Sequence, residues 1–198
     1  MSILDHVLYG LLWLSFGALH SVLASGTAKR VTQGVFGARE RLAYNAIAVA
    51  HLGLVWGVGA FLLGGAAEAA FDLPLAVRLV LWGCLGLGLL ILLVAYRQYD
   101  GGRFTGLRSL PPGAGPEPLQ TGGLHRYVRH PLYSGAFLVL IGQAGDAFGL
   151  ATCIWASLYL VIGTWFEERR LVDLYGSAYL AYRARVPAFI PWKVRAPQ

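Results

Sequence analysis

Apolar residues run almost unbroken through three stretches, Val7 to Ala24, Leu42 to Gly65 and Leu75 to Tyr96. Each has the length, about 17–25 residues, that a helix needs to cross about 30 Å of hydrocarbon. Helices that cover a soluble core carry a narrower apolar stripe. A fourth stretch, Pro131 to Phe166, holds 36 residues and almost no charge. That is too long for one span and predicts two of about 18 residues, joined in a hairpin at Gly145-Asp146. Beyond it, Leu171, Leu174, Tyr175, Ala178, Tyr179 and Tyr182 recur at three- and four-residue steps, the signature of an amphipathic helix. The pattern predicts an all-α integral membrane protein: five transmembrane helices, helices 4 and 5 a tight hairpin, and a C-terminal amphipathic helix on the membrane surface.

Charge orients this arrangement. Lys29, Arg30, Arg39 and Arg41 follow the first apolar stretch. Arg97, Arg103, Arg108, Arg126 and Arg129 lie between the third and fourth, and Arg169, Arg170, Arg183, Arg185, Lys193 and Arg195 follow the fifth helix. Fifteen of the sixteen Lys and Arg residues fall on one side, and only Arg78 on the other. Cytoplasmic loops retain such residues, which predicts the N-terminus outside and the C-terminus and amphipathic helix inside. Asp5, Glu68, Asp72 and Asp146 fall on the outer side. Asp5 and His6 stand where a signal peptide would be basic, so the first helix is expected to be retained. The inner connection from Gln98 to Arg129 contains Pro111, Pro112, Pro116 and Pro118, which disfavour helix.

Composition removes several classes of function. With 57% hydrophobic and 13% charged residues, and a mean hydropathy of +0.58, the chain has too little polar surface for a soluble globule. The net charge of +6 resides in short loops between apolar segments, so it is topological and predicts no nucleic-acid partner. Cys84 and Cys153 both lie in apolar runs; they form no disulfide framework and no metal-ligand spacing, and no metal is expected.

The densest polar cluster is Arg126-Tyr127-Val128-Arg129-His130-Pro131-Leu132-Tyr133, at the start of the fourth stretch. Pro131 suits the first helical position. His130 then stands near the cap, and the free backbone N–H groups just inside can receive a carboxylate or phosphate. Glu167-Glu168, directly after Trp165-Phe166, is costly at a membrane boundary and implies pairing or binding. The hairpin brings one of these acids to Arg129 and His130. Consecutive helical residues point about 100° apart, so only one is expected to face a given pocket. An Arg–Glu pair that merely holds the hairpin together accounts for the same residues.

The ordered set Arg129-His130-Pro131-Leu132-Tyr133-Ser134-Gly135, Glu167-Glu168-Arg169-Arg170-Leu171, Tyr175-Gly176-Ser177-Ala178-Tyr179-Leu180-Ala181-Tyr182 and Val186-Pro187-Ala188-Phe189-Ile190-Pro191 resembles the integral-membrane methyltransferases. That superfamily includes isoprenylcysteine carboxyl methyltransferases, phospholipid methyltransferases, methanethiol S-methyltransferases and NnrU-type proteins. The resemblance covers about the last 75 residues and is specific as a combination. His20-Ser21-Val22-Leu23-Ala24, Glu40-Arg41-Leu42-Ala43-Tyr44-Asn45 and Phe104-Thr105-Gly106-Leu107-Arg108 look most like the methanethiol methyltransferase and NnrU branch.

The resemblance implies one membrane-embedded methyltransferase domain over residues 1–198, in a bacterial inner membrane, with S-adenosylmethionine as cofactor in a cytoplasm-facing pocket. It carries cofactor contact onto Gly123, Leu124, His130, Pro131, Tyr133, Glu167 and Glu168, with Arg129 and Glu168 as catalytic residues. Gly122-Gly123-Leu124-His125 stands where many relatives have Gly-Pro-Tyr. Arg129 can reach either the cofactor carboxylate or the acceptor, and of these two roles orienting the acceptor is the one expected. The acceptor is a small molecule or lipid, such as a thiol or an isoprenylcysteine-type carboxylate, reached amid membrane lipids. His20, Tyr44 and Asn45, polar residues in the first two helices, face the bundle interior and are the candidates for acceptor contact. Two rivals share the motifs: an NADPH-dependent membrane reductase related to sterol reductases, and a non-catalytic NnrU-like membrane protein. The sequence sets no oligomeric state.

Overall fold

A computed structural model of the chain describes residues 2–64, 70–108 and 118–192. Glu68, Pro111, Pro112, Pro116, Lys193 and Arg195, used above, lie outside the described residues. Eight α-helices are described: α1 (Ile3–Ala24), α2 (Gly26–Phe36), α3 (Glu40–Leu63), α4 (Leu75–Tyr96), α5 (Gly101–Thr105), α6 (Pro131–Gly142), α7 (Ala147–Tyr175) and α8 (Ser177–Arg185). Single 3₁₀ turns precede α3 (Gly37–Arg39) and α6 (Gly123–Arg126). No strand forms among the described residues; one isolated bridge joins Ala70 to Asp146.

Four helical segments are long and apolar enough to cross a membrane: Ile3–Ala24, the stretch Ala28–Leu63 that contains α3, Leu75–Tyr96 and Ala147–Tyr175. Their outward faces are apolar, as at Phe61, Leu79, Val80 and Trp82, which suits lipid rather than water. The expected fifth span is different. The 36-residue stretch divides unequally, because α6 ends at Gly142 after 12 residues and α7 continues for 29. At 1.5 Å per residue α6 is about 18 Å long, short of the hydrocarbon thickness. The break is set by Asp146, whose side chain accepts the Gly149 N–H at 2.6 Å and caps α7. The expected amphipathic helix is also split. Leu171, Leu174 and Tyr175 complete α7, Gly176 turns the chain at φ +56°, and α8 carries Tyr179 and Tyr182. These two tyrosines pack on Leu119, Leu171, Val172 and Tyr175.

Close backbone approach places the site. A Cβ at Gly88 of α4 would lie 2.7 Å from the Gly135 carbonyl of α6, and one at Gly142 would lie 2.6 Å from the Leu85 backbone. Only glycine permits this contact, which seats α6 along α4. On the other side of the bundle, Tyr9, Trp13 and Phe16 of α1 pack with Val55 and Leu63 of α3 and Ala151 and Ala156 of α7. The buried Tyr9 hydroxyl is 2.8 Å from Thr152 Oγ1 and ties α1 to α7.

Candidate active site

Pro131 opens α6 at a position where its missing N–H costs nothing. His130 precedes it with φ −124°, and no side chain caps the helix. Leu132 and Tyr133 have no backbone acceptor among the described residues, so two N–H groups face outward from the first turn. The residues before Pro131 are held by the C-terminal segment. Arg129 N–H donates to the Pro187 carbonyl at 2.8 Å and His130 N–H to the Ala188 carbonyl at 3.0 Å. Ser134 Oγ donates to the Phe189 carbonyl at 2.8 Å. Residues 186–189 therefore lie across the α6 entrance as a strap, with the Phe189 ring against His130 and Phe137.

Because α7 continues past Phe166, Glu167 and Glu168 remain helical and diverge, and both reach the entrance from different sides. Glu168 is the inner acid, 9% exposed. Its Oε1 accepts Arg129 Nε at 2.8 Å and Arg129 Nη2, and lies 3.2 Å from His130 Nε2. Arg183 Nε approaches its Oε2 at 3.5 Å. Glu167 is the outer acid, its side chain 42% exposed. Its Oε2 accepts the Tyr133 hydroxyl at 2.9 Å and lies 3.7 Å from His130 Nδ1. The imidazole of His130 thus sits between two carboxylates and stacks on Tyr133, at 5.5 Å and 8° between planes. The Arg129 guanidinium turns inward: its remaining donor, Nη1, goes to the Val186 carbonyl and, at 3.3 Å, to the Arg183 carbonyl.

The approach to this motif is ordered by a second network. Gly123 adopts φ +55°, and a Cβ there would lie 2.5 Å from the Gln98 side chain; Leu124 N–H donates to Gln98 Oε1 at 3.3 Å. His125 is buried. Its Nδ1 is 3.1 Å from the Arg129 carbonyl and its Nε2 is 3.2 Å from the Tyr99 hydroxyl, while Tyr182 donates to its carbonyl at 2.6 Å. Burial holds the His125 imidazole below its ordinary pKa, partly offset by the bond to the Arg129 carbonyl. Burial likewise raises the phenols of Tyr99 and Tyr182, and pushes Tyr179 up to about 12.

The acceptor candidates divide. The Tyr44 hydroxyl is 2.6 Å from His20 Nε2, joining α3 to α1, and Tyr159 of α7 meets the His20 ring edge-on at 5.9 Å. Asn45 Nδ2 instead donates to the Thr105 carbonyl at 2.9 Å and ties α3 to α5. Tyr159 and Tyr99 carry no signal in the sequence, where each is a single residue among apolar or loop neighbours; Tyr182 is marked only by its helical spacing and motif, and Arg183 only as an orienting charge. Two cavities, of about 330 and 290 Å³, lie around His6 and Trp155, away from this cluster along α7. Trp155 and Glu168 are separated by about 20 Å of helix.

The chain is 38% identical over 82 residues to methanethiol S-methyltransferase 1 of Bradyrhizobium diazoefficiens, covering 40% of this chain and 28% of the relative. It is 36% identical over 80 residues to a methanethiol S-methyltransferase of Crocosphaera subtropica, covering 39% and 31%. Over these stretches the chain is similar to methyltransferases. A protein-S-isoprenylcysteine O-methyltransferase of Schizosaccharomyces pombe is 35% identical over 79 residues, covering 37% of this chain and 33% of that relative. The matches thus span about a third of the length of these methyltransferases. No family model matches the chain, and no solved structure does.

Proposed function

We propose that the protein transfers a methyl group from S-adenosylmethionine to a thiol or an isoprenylcysteine-type carboxylate, at the cluster where α6 begins and α7 ends. The single observation that carries this reading is the convergence of His130, Tyr133, Glu167 and Glu168 beside two open N–H groups, in a chain similar to methyltransferases. The donor set fits the cofactor. The amides of Leu132 and Tyr133 complement a carboxylate, and the half-exposed Glu167 complements an ammonium. Gly123 and Leu124 border the same entrance, and Pro131 fixes its direction. When bound, the cofactor supplies an already activated sulfonium methyl. The protein's own residues then have to align donor and acceptor and keep water away.

Within this reading Glu168 is the buried carboxylate that sets His130. The inward guanidinium supports a positioning role for Arg129 through Glu168, in place of direct contact with the acceptor. His20 and Tyr44, with Tyr159 beside them, form the proposed acceptor wall; the Asn45 amide bond to Thr105 supports a bracing role there. A cytoplasm-facing site in a bacterial inner membrane, with the N-terminus outside, is part of the proposal. Equilibrium binding in detergent, with labelled S-adenosylmethionine against NADPH, tests it. Binding of S-adenosylmethionine alone, lost by tenfold or more in Glu167→Gln, is the expected outcome. Preference for NADPH, or binding of neither, would overturn the proposal in favour of a reductase or a non-catalytic membrane protein. Mass-spectrometric detection of a methylated product across thiol and carboxylate acceptors then fixes the acceptor.

A further inference from the structure

We propose that His125 is a positioning residue for the α6 entrance, holding the Arg129-His130 backbone in place as its Nδ1–H tautomer and releasing it when a second proton binds. The proposal rests on the reading of that entrance as the cofactor site.

All four hydrogen-bonding groups of His125 are engaged, each with a different part of the fold. Its N–H donates to the Gly122 carbonyl at 3.0 Å. Its carbonyl accepts Tyr182 of α8 at 2.6 Å. Nδ1 faces the Arg129 carbonyl at 3.1 Å, which can only accept, so Nδ1 carries the hydrogen. Nε2 is then bare and accepts the Tyr99 hydroxyl at 3.2 Å, just past α4. This single tautomer uses both ring nitrogens to join α4 to the residue that opens the Arg129-His130-Pro131 motif. A phenol or a phenyl ring at this position could not make both bonds.

The surroundings explain what a second proton would do. The groups facing or electrostatically coupled to the ring are the Tyr99 and Tyr182 phenols, the His130 imidazole and the Arg129 backbone. Among the described residues no carboxylate is hydrogen-bonded to the ring, and the residue is 7% exposed. A proton on Nε2 would turn the Tyr99 hydroxyl from donor to acceptor and leave a buried cation without a counter-charge, so the cost falls on the burial of the ring. The depressed folded-state pKa agrees in direction. The unfolded chain then takes up more protons as pH falls below about 6.5. Stabilisation of the entrance is therefore complete above that value and declines as pH falls toward the folded-state value.

The test is hydrogen exchange of the Arg129 and His130 amides in the full chain in detergent, without ligand. Rates are corrected for intrinsic chemistry and compared at pH values either side of about 6.5. In the parent protein, exchange should speed about tenfold on the acid side, the scale of one hydrogen bond. His125→Asn, which replaces the Nδ1–H donor with a group that does not titrate, should keep protection at neutral pH and lose the acid acceleration. His125→Phe should exchange fast at both values; if it does not fold, the Asn variant decides alone. Equal acid acceleration in parent and Asn variant would overturn the proposal, as would full protection in a folded Phe variant. Labelled S-adenosylmethionine binding over the same pH range forms a separate arm. If the exchange pattern holds and S-adenosylmethionine does not bind, the inference stands and the proposed function fails.

Discussion

The Arg129–Glu168 pair gives the most demanding test of how this entrance is held together. Both side chains are about one-tenth exposed, and the carboxylate takes two guanidinium donors on one oxygen while His130 stands 3.2 Å away. Removing one member leaves the other buried without its counter-charge. That costs about 3–5 kcal/mol, whereas replacing both with apolar side chains of similar volume is close to neutral. Glu168→Leu and Arg129→Met should therefore each lower stability by about 3–5 kcal/mol. In a chain of this size that is about 6–20 °C in Tm. The double variant should fall well short of the sum, with a coupling energy of about 2–4 kcal/mol; the remainder reflects the Val186 and Arg183 carbonyls that lose Arg129 Nη1. The assay is a double-mutant cycle from reversible unfolding in detergent. Arg183→Ala serves as a control, because that half-exposed side chain approaches Glu168 only at 3.5 Å and should cost about 0–1 kcal/mol. Additivity of the two single changes within about 0.5 kcal/mol would refute the reasoning.

Other consequences are direct. Tyr133→Phe removes the hydroxyl that donates to Glu167 and should weaken S-adenosylmethionine binding about three- to tenfold by equilibrium dialysis; unchanged affinity would detach Glu167 from the site. Arg129→Lys keeps the charge but loses the planar fork. Since the guanidinium holds Glu168 and the strap, cofactor affinity should fall while turnover at saturating cofactor recovers, and steady-state kinetics separate this from an acceptor-orienting role, in which turnover stays low. Gly88→Ala places a methyl group 2.7 Å from backbone atoms of α6 and should cost about 1–3 kcal/mol of stability by overpacking, measurable as a lower Tm. Single cysteines at Asp72 and Asp146 should react with an impermeant thiol reagent added from outside; reaction only from the cytoplasm would reverse the proposed orientation.

Much of the architecture is legible in the chain because a membrane-crossing helix is specified by length and apolarity alone. The runs that predict spans in α1, α3, α4 and α7 coincide with helices of that length. Pro131 likewise marks the start of α6 by its own covalent geometry. Apolar runs report where lipid is tolerated, however, and not where helix stops. For that reason α6 ends early at Gly142, α7 carries Glu167 and Glu168 about two turns before its end at Tyr175, and the cation-bearing segment around Lys29 forms α2. The division between the two acids needed three dimensions. Their 100° divergence is a property of any helix, but only the placement of Arg129 on one side and Tyr133 on the other makes one acid buried and the other half-exposed. The His125 network was illegible for a similar reason. Tyr99 and Tyr182 lie 26 and 57 residues away from it, and hydrogen bonds over such separations leave no periodic trace in a sequence. Tertiary packing alone brings them together, as it brings the strap at 186–189 over the mouth of α6.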